Sequence, residues 1–166
     1  GHESGPDINR ETYLRKKRHW KEPYGVISPS HWIADQASKS GITKNWPSSV
    51  IPNALDAKDW QPTDRTTARK SLGLPERSEV VLFGAGSGLK DHHKGGELFL
   101  ASLAGLANRS SGEPELPIVA AIFGQDGDDY DEDGISFRFL GKLQDPQLRL
   151  AYSSADVMVV PSRIDN

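Results

Sequence analysis

The sequence predicts an α/β protein built on a doubly wound parallel sheet, and three observations carry that reading. From residue 63 onward, apolar runs at 80–83, 118–123, 136–140 and 156–161 alternate with helical patterns at 94–108 and from 145. The runs 80–83, 118–123 and 156–161 are continuously apolar, the pattern of strands covered on both faces. Gly84, Gly86 and Gly88 follow the first run directly and lead toward a helix, an arrangement that lets backbone approach a phosphate closely.

Each element follows from local signals. Residues 7–20 read as a helix with Asp7 at its N-cap and Tyr13, Lys17 and Trp20 on one face. The run Arg15-Lys16-Lys17-Arg18 reads first as a solvated helical face. Gly25-Val26-Ile27-Ser28, between Pro23 and Pro29, predicts a buried strand, and Ser30 then caps a helix that Gly41 ends. Residues 49–52 are extended, because a residue before proline avoids the helical region, and 53–62 reads as a linker. The chain therefore divides into residues 1–62 and 63–166. In the second part, 66–72 is a short helix closed by Gly73, with Pro75 beyond it. Phe99, Leu103 and Leu106 form one stripe of the helix at 94–108, and Leu100, Ala104 and Ala107 form a neighbouring one. That breadth predicts cover from the sheet and from another layer. Asp145 is expected to cap the last helix, with Pro146 at its first position.

Composition narrows the class. The 166 residues are 36% hydrophobic and 26% charged, with a mean hydropathy of −0.57 and no apolar window long enough to span a bilayer. Cysteine is absent, which excludes disulfides and thiolate metal sites. A net charge of −3 argues against nucleic acid as a partner. Asp126, Asp128, Asp129, Asp131, Glu132 and Asp133 concentrate negative charge in one stretch, so the rest of the chain is mildly basic and suited to an anionic ligand. The first residue is Gly1, with no charged-then-apolar leader after it, from which an excised or processed chain is expected.

The candidate site residues lie where strands end. The Gly84–Gly88 segment is not a dinucleotide fingerprint, since Leu89 stands at the third glycine, and no Gly-Lys-Ser/Thr completes a P-loop. A plain flexible turn remains the alternative. Lys94-Gly95-Gly96 opens the next helix; a lysine there opposes the helix dipole, and a diphosphate would meet both its ammonium and free backbone amides. A surface lysine between flexible glycines is the competing reading. Gly141 and Lys142 follow the strand at 136–140, and Ser162, Asp165 and Asn166 follow the last run. Open α/β sheets bind ligands along this carboxyl edge. The acidic stretch matches half of a calcium loop, but Leu140 occupies the position of the closing glutamate, so a solvated connection is expected. His92-His93 has no spaced third ligand for zinc, and no Gly-x-Ser-x-Gly elbow occurs.

Taken in order, these segments resemble the retaining GT-B glycosyltransferases of the family-4 (group 1) type, close to colanic-acid and exopolysaccharide sugar transferases. The resemblance runs through Val26-Ile27-Ser28-Pro29-Ser30-His31-Trp32 and Val50-Ile51-Pro52-Asn53-Ala54-Leu55-Asp56, where Ala54 replaces a usual glycine. It continues through Ala68-Arg69-Lys70, Leu72-Gly73-Leu74-Pro75, Leu82-Phe83-Gly84-Ala85 and Lys94-Gly95-Gly96. Phe123-Gly124, Phe139-Leu140-Gly141, Tyr152-Ser153-Ser154-Ala155-Asp156 and Val160-Pro161-Ser162 complete the series.

The resemblance implies that residues 1–62 are the tail of an amino-terminal acceptor domain and its linker. Residues 63–166 are then an incomplete, Rossmann-like carboxyl-terminal domain binding a nucleotide-sugar such as a UDP-, GDP- or ADP-sugar. It implies that Lys94 stabilises the leaving diphosphate beside Gly86, Ser87 and Gly88, and that Gly141, Lys142 and Leu143 receive the base. Ser162 and Asn166 complete the donor site. Where the family has an arginine a few residues before that lysine, this loop offers Gly88, Leu89 and Lys90, with Lys90 the candidate substitute, and a pair of family glutamates would begin beyond Asn166. Transfer by these residues alone is therefore not expected; a non-catalytic nucleotide-binding module is the alternative. The same resemblance implies no cofactor and no required metal. It implies a saccharide or lipid-linked acceptor and a cytoplasmic location with peripheral contact at the inner membrane face. The apolar edge at 156–160 is expected to drive self-association.

Overall fold

The computed structural model describes residues 7–84, 86, 88–109 and 115–163, and the chain parts into two units between Leu55 and Asp56. In the first unit, helix α1 (Ile8–His19) starts where Asp7 accepts from the Arg10 amide at 3.0 Å, and four basic residues occupy its last turn. Each end thus complements the helix dipole. Strand β1 (Val26–Ser28) pairs in parallel with β2 (Ser48–Val50), joined through α2 (His31–Lys39), whose N-cap Ser30 accepts from the Ile33 amide at 3.3 Å. The expectation of a buried β1 holds for Ser28 alone: Ile27 is 67% exposed. With α2 against one side of a two-stranded sheet, the alternate residue has no covering layer among the described residues of this unit.

The second unit carries the larger sheet. Its strands are β3 (Glu79–Gly84), β4 (Ile118–Phe123), β5 (Tyr130–Glu132), β6 (Ile135–Gly141) and β7 (Val157–Met158), in the spatial order β5-β6-β4-β3-β7. All pairings are parallel except that of β5 with β6. Helix α4 (Gly96–Arg109) covers one face, where Phe99 and Leu103 pack with Phe83, Ile118, Ala120, Ile122, Ile135 and Phe137. Phe83 stacks on Phe99 at 4.8 Å. Helices α3 (Arg65–Ser71) and α5 (Asp145–Ser154) lie on the other, where Val80, Leu82, Val119, Ala121 and Ala151 are buried. Alternate residues of one strand therefore enter two cores, which is why β4 reads as an unbroken apolar run. Among the described residues no helix is long and apolar enough to cross a membrane.

Several expectations are corrected. Neither stripe of α4 is buried as read: Phe99, Leu103 and, in part, Ala107 face the sheet, while Leu100, Ala104 and Leu106 are exposed because no further layer covers the outer side among the described residues. The acidic stretch is not a plain connection but an edge hairpin. Asp133 and Gly134, with φ of 51° and 76°, turn β5 back onto β6, as an Asp-Gly pair favours. Tyr130 stacks on Phe137 at 4.5 Å, and Arg138 pairs with Asp131 at 3.1 Å, so the charge is partly answered inside the hairpin. The N-cap of α5 is Gln144 instead of Asp145; its amide donates to Gln147 Oε1 at 3.0 Å. The last apolar run forms only the two-residue β7, at the sheet edge, with Val157 half exposed instead of covered on both faces. The larger unit takes in the stretch from Asp56, which packs on α5: Arg149 Nη1 donates to the Asp59 carbonyl, and the Thr63 amide donates to Ser153 Oγ.

Candidate functional site

Strands β3, β4 and β6 end together on one edge, and the chain leaves each through glycine. Gly84 closes β3, Gly124 (φ 97°) follows β4, and Gly141 (φ 69°) closes β6. The Gly124 amide donates to the Gly141 carbonyl at 2.8 Å, extending the β4–β6 ladder past its last regular pair. The register shifts between Ile122 and Phe123, so that Phe123 faces Gly141 and Leu140 is bulged out. Bulges of this kind re-aim side chains at the end of a sheet. Here Gly86, Phe123, Gly124, Lys142, Leu143 and Leu148 line a cleft of about 250 Å³. Its apolar members Phe123, Leu143 and Leu148 can face a flat ring, and exposed Lys142 places a cation at the rim. Tyr152 meets the Phe123 ring edge-on at 6.1 Å from the α5 side, fixing its plane.

The glycine-rich exit from β3 has a defined course in its described part. Gly88 to Lys90 forms a single 3-10 turn, with Gly88 buried and at φ 69°. The Leu89 amide donates to Gln125 Oε1 at 2.8 Å. Lys90 is exposed, and Ser87 lies outside the described residues.

Lys94 lies in the turn before α4 and not in its first helical turn, since α4 begins at Gly96. It is half buried. The expected cradle of free amides beside it is not there. The His93 and Lys94 amides both donate to Asp91 Oδ1, at 2.9 and 3.3 Å, and the Gly95 amide donates to the Asp91 carbonyl at 3.1 Å. An Asx-type turn has already satisfied these donors. The anion that accompanies the start of α4 is Glu97. Arg163 Nη2 donates to its Oε1 at 2.9 Å, and His92 Nδ1 lies 3.1 Å from the same oxygen. The Arg163 hydrogen bond, followed by one from its own backbone, holds the Glu97 carboxyl below the usual glutamate value. Ser162 lies half-buried next to Arg163 on the segment leaving β7, where the Arg163 amide donates to the His93 carbonyl at 2.9 Å.

The structure thus brings Gly86, Lys142 and Leu143 to one cleft, with Gly141 at the strand end behind it. Gly88, Lys90, Lys94 and Ser162 belong instead to the turns around the start of α4, and Asp165 and Asn166 lie outside the described residues. Asp91, Gln125 and Arg163 escaped the sequence reading. Each acts through a loop conformation that leaves no spacing signal. Among the described residues no group of three or more His, Cys, Asp or Glu is placed to hold a metal ion.

No family model matches the chain, and no curated protein does. Among solved structures it is similar to a sucrose-phosphate synthase from Thermosynechococcus elongatus, with a TM-score of 0.62 and 21% identity. The match covers 98% of this chain and 41% of that one, so the chain spans well under half of the synthase's length. At that identity the likeness establishes the fold: a Rossmann-like α/β arrangement of the GT-B type.

Proposed function

We propose that the unit from Asp56 onward receives the nucleoside diphosphate part of a nucleotide-sugar, and that the whole protein transfers the sugar to a saccharide or lipid-linked acceptor with retention at the anomeric carbon. The observation that carries this reading is the cleft at the carboxyl ends of β3, β4 and β6, lined by Gly86, Phe123, Gly124, Lys142, Leu143 and Leu148. Its position is where open α/β sheets bind ligands, and its lining suits an apolar base with charge at the rim. The fold shared with a sucrose-phosphate synthase supports the same reading.

The chemistry follows from charge. Cleavage of the sugar–phosphate bond leaves a diphosphate with additional negative charge, and a preorganised cation lowers the barrier by answering that charge as it develops. Lys94, on the turn that enters α4, is the residue proposed for this role, and Lys142 stands at the rim of the cleft itself. No metal is invoked. A cytoplasmic location with contact at the inner membrane face belongs to the same proposal.

Calorimetric titration of UDP, GDP and ADP against the wild type, Lys94→Ala and Leu148→Lys tests it. One nucleotide is expected to bind the wild type. Lys94→Ala should weaken it about tenfold, the scale of one charge-assisted contact, and Leu148→Lys should block the cleft. Absence of binding by all three nucleotides would sink the reading; an unchanged affinity in Lys94→Ala would remove that residue from the role.

A further inference from the structure

We infer that Gln125 is the positioning residue of the glycine-rich loop: its carboxamide, carried on the exit of β4, fixes the turn at 88–90 through which the chain leaves β3. The inference rests on the proposed nucleotide reading for its ligand, but its geometry stands alone. Gln125 Oε1 accepts the Leu89 amide at 2.8 Å. A Cβ added at Gly88 would overlap the Gln125 carboxamide, and Gly88 holds φ 69°, so residue 88 must be glycine for both reasons. The Leu89 carbonyl is packed as closely on the other side, where a Cβ at Gly96 would overlap it. Leu89 is therefore gripped between the end of β4 and the first residue of α4.

This grip does work that the missing third glycine of a dinucleotide fingerprint cannot do here, since Leu89 occupies that place. Each glycine among Gly84, Gly86 and Gly88 has more backbone freedom to lose than any other residue would at its place. Without an anchor, that loss falls on the binding step and weakens affinity. Gln125 removes that freedom in advance at the turn 88–90, two residues beyond the Gly86 that lines the cleft.

The test measures amide hydrogen exchange at Leu89 in the free protein together with nucleotide affinity. Gln125→Met, similar in length but without an oxygen acceptor, should lose Leu89 protection and bind the nucleoside diphosphate about tenfold more weakly. Gln125→Asn, too short to reach, should do the same if the Met variant fails to fold. Gln125→Glu should keep Leu89 protection, because a carboxylate accepts equally well. Equal Leu89 exchange in wild type and Gln125→Met overturns the inference, as does lost protection with unchanged affinity. If the wild type binds none of UDP, GDP and ADP while Leu89 exchange still follows residue 125, the clamp is supported and the nucleotide reading is rejected.

Discussion

Arg69 Nη2 lies 2.6 Å from Asp156 Oδ2, and with Arg69 only 4% exposed this pair joins the two ends of the larger unit. The guanidinium spends its other donors on carbonyls: Nε on Ser154 at 2.9 Å, and Nη1 on Glu76 and Ser78 at 2.7 and 3.1 Å. Asp156 Oδ2 also accepts the Val80 amide at 2.7 Å, at the start of β3. One planar fork thus ties α3, the turn into β3 and the link from α5 to β7, a task that suits arginine and not lysine.

Removing that fork leaves three carbonyls without its donors and takes from Asp156 one partner, while the Val80 amide and Arg65 remain on that carboxylate. Arg69→Ala is expected to destabilise the protein by about 2–4 kcal/mol: the guanidinium is buried, but its aspartate partner is one-third exposed, which holds the cost below that of a fully buried pair. Arg65 also pairs with Asp156, at 2.7 Å, but from an exposed position, so Arg65→Ala should cost no more than about 1 kcal/mol. Urea denaturation of both variants checks the contrast; similar losses would contradict the assigned hub.

These contacts also mark what a sequence can and cannot disclose. Strand β4 was legible because burial in two cores leaves an unbroken apolar run, and Gly73, at φ 69°, ends α3 as its position after Leu72 suggests. Gly86 and Lys142 meet at one cleft on the carboxyl edge that the rule for open sheets points to, together with Leu143, which only the resemblance named. Arg69 was not singled out structurally, since a basic residue on a short helix looks solvated until a distant aspartate is folded against it. The acidic hairpin was misread for a related reason: Asp133-Gly134 is a turn signal, but the charge density around it outweighed that signal. Asp91 took the amides assigned to a ligand, and only the loop's own conformation reveals this.

Gly95 holds φ 72°, and a Cβ there would run into the Pro161 carbonyl. Gly95→Ala should therefore cost about 1–3 kcal/mol, the scale of a forced left-handed residue, and loosen the segment after β7. Nothing lies within 4 Å of a Cβ added at Gly86, so Gly86→Ala should change stability by less than about 1 kcal/mol. Thermal melts of the two variants separate strain from a mere change in composition.

Among the described residues strand β7 has β3 on one side only; Val157 within it and Val160 just after it are exposed by 51% and 63%. An apolar strand edge with unpaired backbone groups favours pairing with another chain. Sedimentation velocity over a rising concentration series should show association by the wild type, reduced in Val157→Lys, where a charge on the edge opposes pairing. A wild type that stays monomeric throughout would refute this expectation.

Glu97 sets the sign of an acid-dependent step. Its carboxyl is held below the ordinary 4.5, first by the Arg163 hydrogen bond. A carboxylate whose folded value is depressed contributes stability that is fully present above its unfolded value and is lost as pH falls through the folded one. The Glu97–Arg163 tie should therefore be intact above about pH 4.5 and released progressively below it. Because both side chains are nearly half exposed, the effect is small and should shrink further in high salt. Melting curves from pH 7 to pH 3 should show a shallower acid decline in Glu97→Gln than in wild type, with the two converging at the acid end. Parallel declines in wild type and variant would mean that the carboxyl at the head of α4 contributes nothing to the acid response.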